Sequence, residues 1–342
     1  ICRTQRPWSV SMIELVFLGT AASAPSIQRG LPSQMILYKG ERFLVDCGEG
    51  TQRQILRSGL GFRRLERVFL THGHLDHILG LGGLISTFAR WEAVEHIEIW
   101  GGRWTLERVN DLLFRVVLRG ARPPVPIEMV EVRPSALLEW EMLEVSAFPV
   151  THRGPGCFGY LFREQSRRPF LPERAEALGV PAGPERRRLV NGEAVTLADG
   201  RTILPDEVLG PERPGIAVAV TGDAARVDDL VDAVCGVDVL VCEATYLQQD
   251  VEMAQRFGHL LAAQAAWLAR EADVRLLVLS HLSQRYRVGQ ILDEVRPIFP
   301  EVVVARDFDH FQITRERIEL HHEELAEDEV LLPESAATGN VA

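Results

Sequence analysis

The sequence predicts an α/β fold whose strands carry metal-binding side chains to one edge of a sheet. Two observations predict it. Apolar β-like runs alternate with helical patterns along most of the chain, and five of these runs end on a potential metal-binding residue. These residues are His72, His152, Asp223, Glu243 and His281. Because strands that carry ligands at their C-terminal ends bring them to one sheet edge, we expect the five side chains to converge.

Composition is typical of a globular protein. The 342 residues are 46% hydrophobic and 25% charged, and no apolar run reaches the roughly 18 residues that span a bilayer, so no membrane association is expected. Five scattered cysteines without a C-x-x-C pair indicate a reducing cytoplasm rather than a disulfide framework. The net charge of −11 argues against a general, charge-driven nucleic-acid binder but allows a local basic patch.

In the first half of the chain, apolar runs predict strands and apolar spacing near 3.6 predicts helices. A turn-rich loop over 19–32 separates the first two strands. The predicted elements are strands 13–18 and 34–46, helices 48–57 and 78–90, strand 97–100, helix 104–118, and two or three strands within 123–149.

The pattern changes at about residue 163. Residues 163–214 hold seven prolines and only short apolar runs, with a hairpin predicted over 195–203 that turns at Asp199-Gly200. This segment supplies no potential ligand, so it is predicted to be an insertion that projects from the core. Alternation then resumes with strands 216–221, 237–242, 275–280 and 301–304, and helices 225–234, 258–272 and 288–296.

The predicted organisation therefore has five parts. A core domain is split by the insertion, an extension precedes it and an acidic tail follows it. The parts are an N-terminal extension (1–11), the first part of the core domain (12–162), the insertion or arm (163–214), the second part of the core domain (215–320) and the tail (321–342).

The cluster His72-x-His74-x-Asp76-His77 places four potential ligands within six residues. This spacing suits a tight loop around metal, and imidazole with carboxylate suits zinc, or manganese. Two three-residue sites with a bridging carboxylate are predicted. One site is His72, His74 and His152, the other is Asp76, His77 and His281, and Asp223 is the bridge. Two metal ions so placed can stabilise both the attacking and the leaving oxygen of a displacement at phosphorus.

Six short motifs follow one another along the chain. They are Asp46-Cys47-Gly48-Glu49-Gly50-Thr51-Gln52-Arg53-Gln54, Thr71-His72-Gly73-His74-Leu75-Asp76-His77, Glu243-Ala244-Thr245-Tyr246, Gly258-His259-Leu260, His281-Leu282-Ser283-Gln284-Arg285-Tyr286 and Ala305-Arg306-Asp307-Phe308. In this order and spacing they resemble the ribonuclease Z family of the metallo-β-lactamase superfamily. The resemblance spans about residues 13–318. Cys242 stands where the family has a leading histidine, and Ala224 where a threonine is usual.

The resemblance implies an αββα sandwich with a protruding exosite arm, two zinc ions per chain and manganese as a possible substitute. It implies the same seven metal ligands. It further implies that Asp76 orients or deprotonates the attacking water, and that His259, supported by Glu243, protonates the leaving oxygen. The activity implied is endonucleolytic hydrolysis that removes the 3′ trailer of precursor tRNA and leaves a 3′-hydroxyl. Relatives act as homodimers, in which one subunit's arm presents tRNA to the other's site.

Candidate substrate contacts lie in three places. The arm matches the family's exosite, yet residues 160–214 hold nine arginines and nine carboxylates, so only a local phosphate clamp or a plain solvated hairpin is expected. The candidates are Gly183, Pro184, Arg186, Arg187 and Arg188 in the arm, Thr51, Gln52 and Arg53 at a helix start, and Ser283 and Arg285 beside His281.

Two alternative functions remain open from the residues. The first is another hydrolase on the same fold, such as a lactonase, a thioesterase, an arylsulfatase-like enzyme or a small-molecule phosphodiesterase; the arm and the Glu243/His259 pair argue against it. The second is a non-catalytic tRNA-binding subunit with a degenerate site, and the presence of all seven potential ligands argues against that.

Overall fold

A computed structural model describes residues 11–91, 94–123 and 125–322, so most of the predicted extension and tail lies outside the described residues. Two large sheets carry the core. The first sheet comprises β1 (Ile13–Gly19), β2 (Ser33–Tyr38), β3 (Glu41–Val45), β4 (Arg67–Phe69), β5 (Ile97–Gly101), β6 (Ile127–Glu131), β16 (Asp309–Ile313) and β17 (Ile318–His322). The second comprises β7 (Ser135–Trp140), β8 (Leu143–Pro149), β9 (Phe158–Glu164), β12 (Ala217–Val220), β13 (Val239–Ala244), β14 (Leu276–Leu282) and β15 (Val302–Val304).

Helices cover the outer faces of both sheets, and three short helices lie in the arm instead. None of them, in the part of the chain that is described, is both long and apolar enough to cross a membrane. They are α1 (Thr51–Arg57), α2 (Leu75–Ile78), α3 (Gly80–Trp91), α4 (Arg103–Asn110, continued by a π-helical turn over Asp111–Val117), α5 (Pro172–Ala177), α6 (Pro184–Val190), α7 (Pro205–Val208), α8 (Val251–Phe257, after a 3₁₀ turn over Gln248–Asp250), α9 (Ala262–Glu271) and α10 (Val288–Val295).

Strand order fixes where the functional edge lies. The first sheet runs β17-β16-β1-β2-β3-β4-β5-β6 and the second runs β15-β14-β13-β12-β9-β8-β7. The pairs from β3 to β6 and from β12 to β15 are parallel. The carboxyl ends of those strands therefore meet at one edge of each sheet, as the sequence predicted.

Three hydrophobic layers show the αββα sandwich. The middle layer joins the inner faces of the two sheets, with Phe43 and Phe69 from the first packing on Tyr160 and Phe162 from the second. One outer layer packs α1, α3 and α4 on the first sheet, and the other packs α9 and α10 on the second. The predicted fold class is confirmed.

The arm lies between β9 and β12 and has a small core of its own. Residues of α5, α6, α7 and the predicted hairpin, now β10 (Val195–Thr196) and β11 (Thr202–Ile203), bury seven hydrophobic side chains against one another. At its base, Arg167 and Arg213 exchange backbone hydrogen bonds of 3.0 and 2.8 Å. The two ends of the arm are therefore held together like a strand pair.

Several predicted elements differ from the structure. Residues 34–46 form a hairpin rather than one strand, because Lys39 and Gly40 both have positive φ and make a two-residue turn. Consecutive turns over 228–236 take the place of the helix predicted over 225–234. The helix predicted over 258–272 starts only at Ala262. Strand β17 continues to His322, two residues into the predicted tail.

Candidate metal centre

The predicted ligands converge where the strands of both sheets end. The loop after β4 carries His72 and His74, and the short helix α2 that follows directly carries Asp76 and His77. The loop after β8 carries His152 and the loop after β12 carries Asp223, while His281 is the second-last residue of strand β14. Three groups of side chains each bring their ligand atoms within 4.8 Å of one another. The first is His72, His74, His152 and Asp223, the second is Asp76, His77 and His281, and the third is Asp223, His259 and His281.

The three histidines of the first group lie close together. Nδ1 of His74 lies 2.9 Å from Nε2 of His72 and 3.3 Å from Nε2 of His152. Two nitrogens bound to one tetrahedral zinc ion at about 2.0–2.1 Å would be about 3.3 Å apart, which is close to these separations. The three nitrogens therefore face a common point with the spacing that a shared cation requires.

Asp223 lies between the first two groups. Its Oδ2 is 3.6 Å from Nε2 of His72 and 3.8 Å from that of His152, whereas its Oδ1 is 3.5 Å from Nε2 of His77 and 3.4 Å from that of His281. Each carboxylate oxygen thus faces one group, as a bridging ligand would. Asp76 completes the second group, with Oδ2 3.6 Å from Nε2 of His281.

Buried polar atoms without partners support a cation at this position. Within the described residues, Nε2 of His77, Oδ1 of Asp223 and Nε2 of His281 are buried without a hydrogen bond. Leaving such atoms unpaired is costly unless something else satisfies them. Two of these atoms belong to the second group and Oδ1 of Asp223 faces it, and their imidazole and carboxylate chemistry suits zinc or manganese.

The other ring nitrogens are fixed by hydrogen bonds. Nδ1 of His77 donates to Asp46 at 2.8 Å, that of His152 donates to the carbonyl of Gly258 at 2.7 Å, and that of His281 lies 2.9 Å from Oγ1 of Thr245. Such contacts set the orientation of the ring and leave Nε2 facing the cluster.

Burial and neighbouring charge oppose each other throughout the site. Burial lowers the pKa of His72 well below its ordinary value and that of His74 to about 4, so both rings are neutral. Burial would also lower the pKa of His77, but Asp223 and Asp46 outweigh it and raise that pKa. Burial would raise the pKa of Asp223, yet His281, His77 and His72 hold it well below the usual range. His72 and His74 are thus neutral imidazoles beside an ionised Asp223, whereas the carboxylates next to His77 favour its charged form.

A sixth histidine stands at the rim of the cluster. Nδ1 of His259 lies 3.1 Å from Oε2 of Glu243, and its ring centroid lies 5.1 Å from that of His152 and 5.4 Å from that of His281. Burial would lower the pKa of His259, but the Glu243 carboxylate and its hydrogen bond raise it to about 9. The ring therefore carries a proton at neutral pH beside the cluster.

Glu243 is itself held in place. Its Oε1 accepts a hydrogen bond from the amide of Ala224 at 2.7 Å, and the hydroxyl of Thr245 donates to its Oε2. Alanine at position 224, where the family usually has a threonine, does not affect this hydrogen bond because the backbone amide donates it. Cys242 packs in the outer hydrophobic layer of the second sheet, whereas Glu243 points to the site from the next position of β13.

The predicted substrate-contact residues differ in how accessible their side chains are. The hydroxyl of Thr51 is buried and donates to the carbonyl of Gly48 at 2.7 Å, and Gln52 hydrogen-bonds Thr87, so both side chains have internal partners. Arg53 beside them is exposed. Near His281, Ser283 is half-buried and accepts a hydrogen bond from the amide of Arg285, whose side chain is exposed.

The arm arginines also differ from one another. Arg186 donates to the carbonyl of Val180 at 3.0 and 3.2 Å, and Arg188 pairs with Glu193 at 3.0 Å. Arg187 is exposed between them, and Gly183 and Pro184 are exposed at the start of α6. Only part of the predicted arginine clamp is therefore free to contact another molecule.

Two supporting residues were not assigned roles from the sequence. Asp46 bonds both His77 and Thr71, and Thr245 lies between His281 and Glu243. Both lie within motifs that carry the family resemblance, but their contacts are made with loops that are distant in the sequence. Asp46 and His281 also have left-handed φ angles of 60° and 52°. Backbone strain of this kind concentrates at functional sites.

The sandwich and its His/Asp cluster define a metal-dependent hydrolase of the metallo-β-lactamase superfamily. The model of that superfamily matches residues 29–164. Among solved structures, a metallo-β-lactamase fold protein, YhfI of Bacillus subtilis, superposes with a TM-score of 0.64 at 17% identity over 88% of this chain and 99% of its own. The short form of human tRNase Z gives 0.62 at 25% identity over 87% and 98%.

Within the superfamily, the chain belongs to the ribonuclease Z family. It is 44% identical to Ribonuclease Z of Bradyrhizobium diazoefficiens over 302 residues, which are 88% of this chain and all of the relative. It is 35% identical to Ribonuclease Z of Archaeoglobus fulgidus over 89% of this chain and 98% of the relative. The family resemblance stated from the sequence is confirmed, and with it the expectation of a bound metal.

Proposed function

We propose that this protein is an endoribonuclease that removes the 3′ trailer of precursor tRNA and leaves a 3′-hydroxyl on the tRNA. The observation that carries the proposal is the His259–Glu243 pair at the rim of the His/Asp cluster. Family membership supports the substrate class. We further propose two zinc ions per chain, with manganese as a possible substitute, and a homodimer in the cytoplasm.

The proposed ligands are the seven predicted ones: His72, His74, Asp76, His77, His152, Asp223 and His281. Two bound metal ions would lower the pKa of a water and offset charge on the phosphate oxygens. Asp76 lies at the edge of the second group, and its carboxylate accepts a hydrogen bond from the amide of Ser23 at 3.0 Å. Held in this way, Asp76 would orient the attacking water and accept its proton.

His259 would supply the other proton. Water oxygen bonds to phosphorus, the bond from phosphorus to the 3′ oxygen of the tRNA breaks, and that oxygen takes the proton from Nε2 of His259. Since Nδ1 faces Glu243, Nε2 is the nitrogen left to face a substrate. A positioned acid of this kind typically contributes about 10²–10⁴-fold to the rate.

The test is cleavage of a precursor tRNA in the presence of zinc or manganese, with both product ends mapped. A 3′-hydroxyl on the tRNA and a 5′-phosphate on the trailer are expected. His259→Ala should lose most of the rate and keep its metal. If the variant cuts at the normal rate at every pH, the role of His259 is refuted.

The arm is proposed to position tRNA rather than to take part in the chemistry. Because Arg167 and Arg213 form a backbone-paired base, residues 168–212 can be replaced by a two-residue turn with little strain. The deletion should abolish efficient cutting of precursor tRNA but spare a small activated phosphodiester, since remote binding energy serves the large substrate. Normal processing by a folded, metal-loaded deletion variant would reduce the arm to a solvated surface element.

A further inference from the structure

The ring of His74 is positioned differently from the other histidines of the centre. His72, His77, His152, His259 and His281 each place Nδ1 close to a hydrogen-bonding group outside the cluster. His74 uses Nδ1 toward His72 and His152, and within the described residues no hydrogen bond outside the cluster reaches its Nε2. Its neighbour outside the cluster is the indole of Trp104, at 6.4 Å between centroids and an interplanar angle of 86°.

Trp104 also touches the backbone of the loop that carries His74. Gly73 lies between His72 and His74, and a Cβ placed on it would be 3.0 Å from Cζ3 of Trp104 and 3.1 Å from Cα of Thr105. A side chain at position 73 would therefore push the loop away from α4. The glycine allows the loop to rest directly on the indole.

Arg108, one turn further along α4, fixes this contact. Its Nη1 donates to the carbonyl of Gly73 at 2.8 Å, and its guanidinium lies 5.1 Å from the centroid of the Trp104 ring. A cation over an indole face is attractive. The arginine thus ties the His74 loop and the indole to the same helix.

The same indole edge meets the loop that carries His152. A Cβ on Gly154 would be 3.3 Å from Cζ3 of Trp104, and a Cβ on Gly102 would be 2.1 Å from the carbonyl oxygen of Gly156. The two loops are 78 positions apart in sequence, as measured between His74 and His152, yet both rest on the start of α4. Trp104 therefore stands between them as a spacer.

We propose that Trp104 is a positioning residue of the metal centre, which orients His74 by packing and sets the distance between the His74 and His152 loops. The inference rests on the proposed metal role of His74. It predicts a selective effect: the first group of ligands should weaken, while Asp76, His77 and His281 keep their geometry.

The test compares zinc retention by wild type, Trp104→Ala and Trp104→Phe, each loaded with Zn²⁺ and dialysed against increasing chelator. Trp104→Ala should lose one of the two equivalents at about 10–100-fold lower chelator, the usual effect of removing a group that supports a ligand. Trp104→Phe should largely restore retention because it keeps an aromatic edge. Trp267→Phe, in α9 on the other face of the sandwich, is the matched control and should behave as wild type.

A second readout separates positioning from general destabilisation. With Co²⁺ in place of Zn²⁺, the visible absorption of Trp104→Ala should change in shape, while the melting temperatures of the metal-free proteins are compared in parallel. If Trp104→Ala does not fold, Arg108→Ala tests the same contact through Gly73. If the variant that folds retains as much Zn²⁺ as the wild-type protein, the role of Trp104 is overturned. If the wild-type protein itself binds no Zn²⁺, the proposed metal centre is overturned.

Discussion

Asp46 joins two parts of the metal centre: its carboxylate accepts hydrogen bonds from Nδ1 of His77 at 2.8 Å and from the amide of Thr71 at 2.8 Å. It follows β3, whereas His77 and Thr71 flank the loop after β4. The carboxylate therefore fixes both the ring of one proposed ligand and the backbone that leads into the others. Its own left-handed φ of 60° shows that the chain bends sharply to place it.

We expect Asp46→Ala to lower zinc affinity by about 10–100-fold, because a freed His77 ring must be ordered on binding. Competition with a chromogenic chelator measures this change directly. Asp111→Asn, on the exposed π-helical turn after α4, is the control for loss of one negative charge. An Asp46→Ala protein with unchanged affinity would show that Asp46 supports only the fold.

The pH dependence of cleavage should reveal the Glu243–His259 pair. His259 donates a proton only below its pKa, which Glu243 raises to about 9, so activity should fall as pH rises through that value. Glu243→Gln removes the charge that raises the pKa and leaves burial, which lowers it. In Glu243→Gln, the fall of the single-turnover rate at alkaline pH should therefore begin at a lower pH than in wild type. If it begins at the same pH, the fall reflects the titration of a group other than His259.

Arg187 and Arg186 should behave differently although they are neighbours in α6. Arg187→Ala should weaken precursor tRNA binding and reduce the slope of log affinity against log salt by about one, as loss of one phosphate contact does. Arg186→Ala should instead loosen the arm, because it removes two hydrogen bonds to Val180 and the contact with the Phe170 ring. Filter binding across a salt series and hydrogen exchange within the arm distinguish the two effects. Equal effects of both variants on the salt slope would contradict the assignment.

Phe69 should be among the residues most important for stability. It is fully buried between the sheets and its ring meets Phe43, Trp100, Tyr160 and Phe162. Phe69→Ala should lower the free energy of unfolding by about 3–5 kcal/mol, the usual range for emptying an aromatic site in a core. Denaturant unfolding of the metal-free protein measures it, with Leu56→Ala on the exposed side of α1 as a control. A loss below about 1 kcal/mol would mean that the two sheets repack freely.

The sequence predicted those parts of the centre that depend on strand ends. His72, His152, Asp223 and His281 each follow or end an apolar run, and such runs indicate where a parallel strand stops. It could not predict contacts that depend on how loops pack. Trp104 has the pattern of an ordinary helix residue, and its meeting with Gly73 and Gly154 follows from the packing of α4, which periodicity does not encode.

Errors in the predicted elements have similar causes. In 225–234, Val227, Leu230 and Val234 are buried at a helix-like spacing, but the amide of Ala225 bonds the carbonyl of Thr151 and the backbone follows the His152 loop instead of a helix. Tertiary contacts thus overrode the helical periodicity. The strands β16 and β17 were missed because their polar, outward-facing residues interrupt the apolar pattern.

The pairing of β1 with β16 has a consequence for synthesis of the protein. All seven proposed ligands precede residue 282, yet β1 lies inside the first sheet and receives one of its two neighbours only when residues 309–313 are available. On the ribosome, the nascent chain therefore holds every ligand while one side of an apolar strand stays open and prone to wrong pairing. Completion of the sheet, and with it a rigid site, has to wait for translation of β16. A nuclease built in this order would become active only after residues 309–313 have been made.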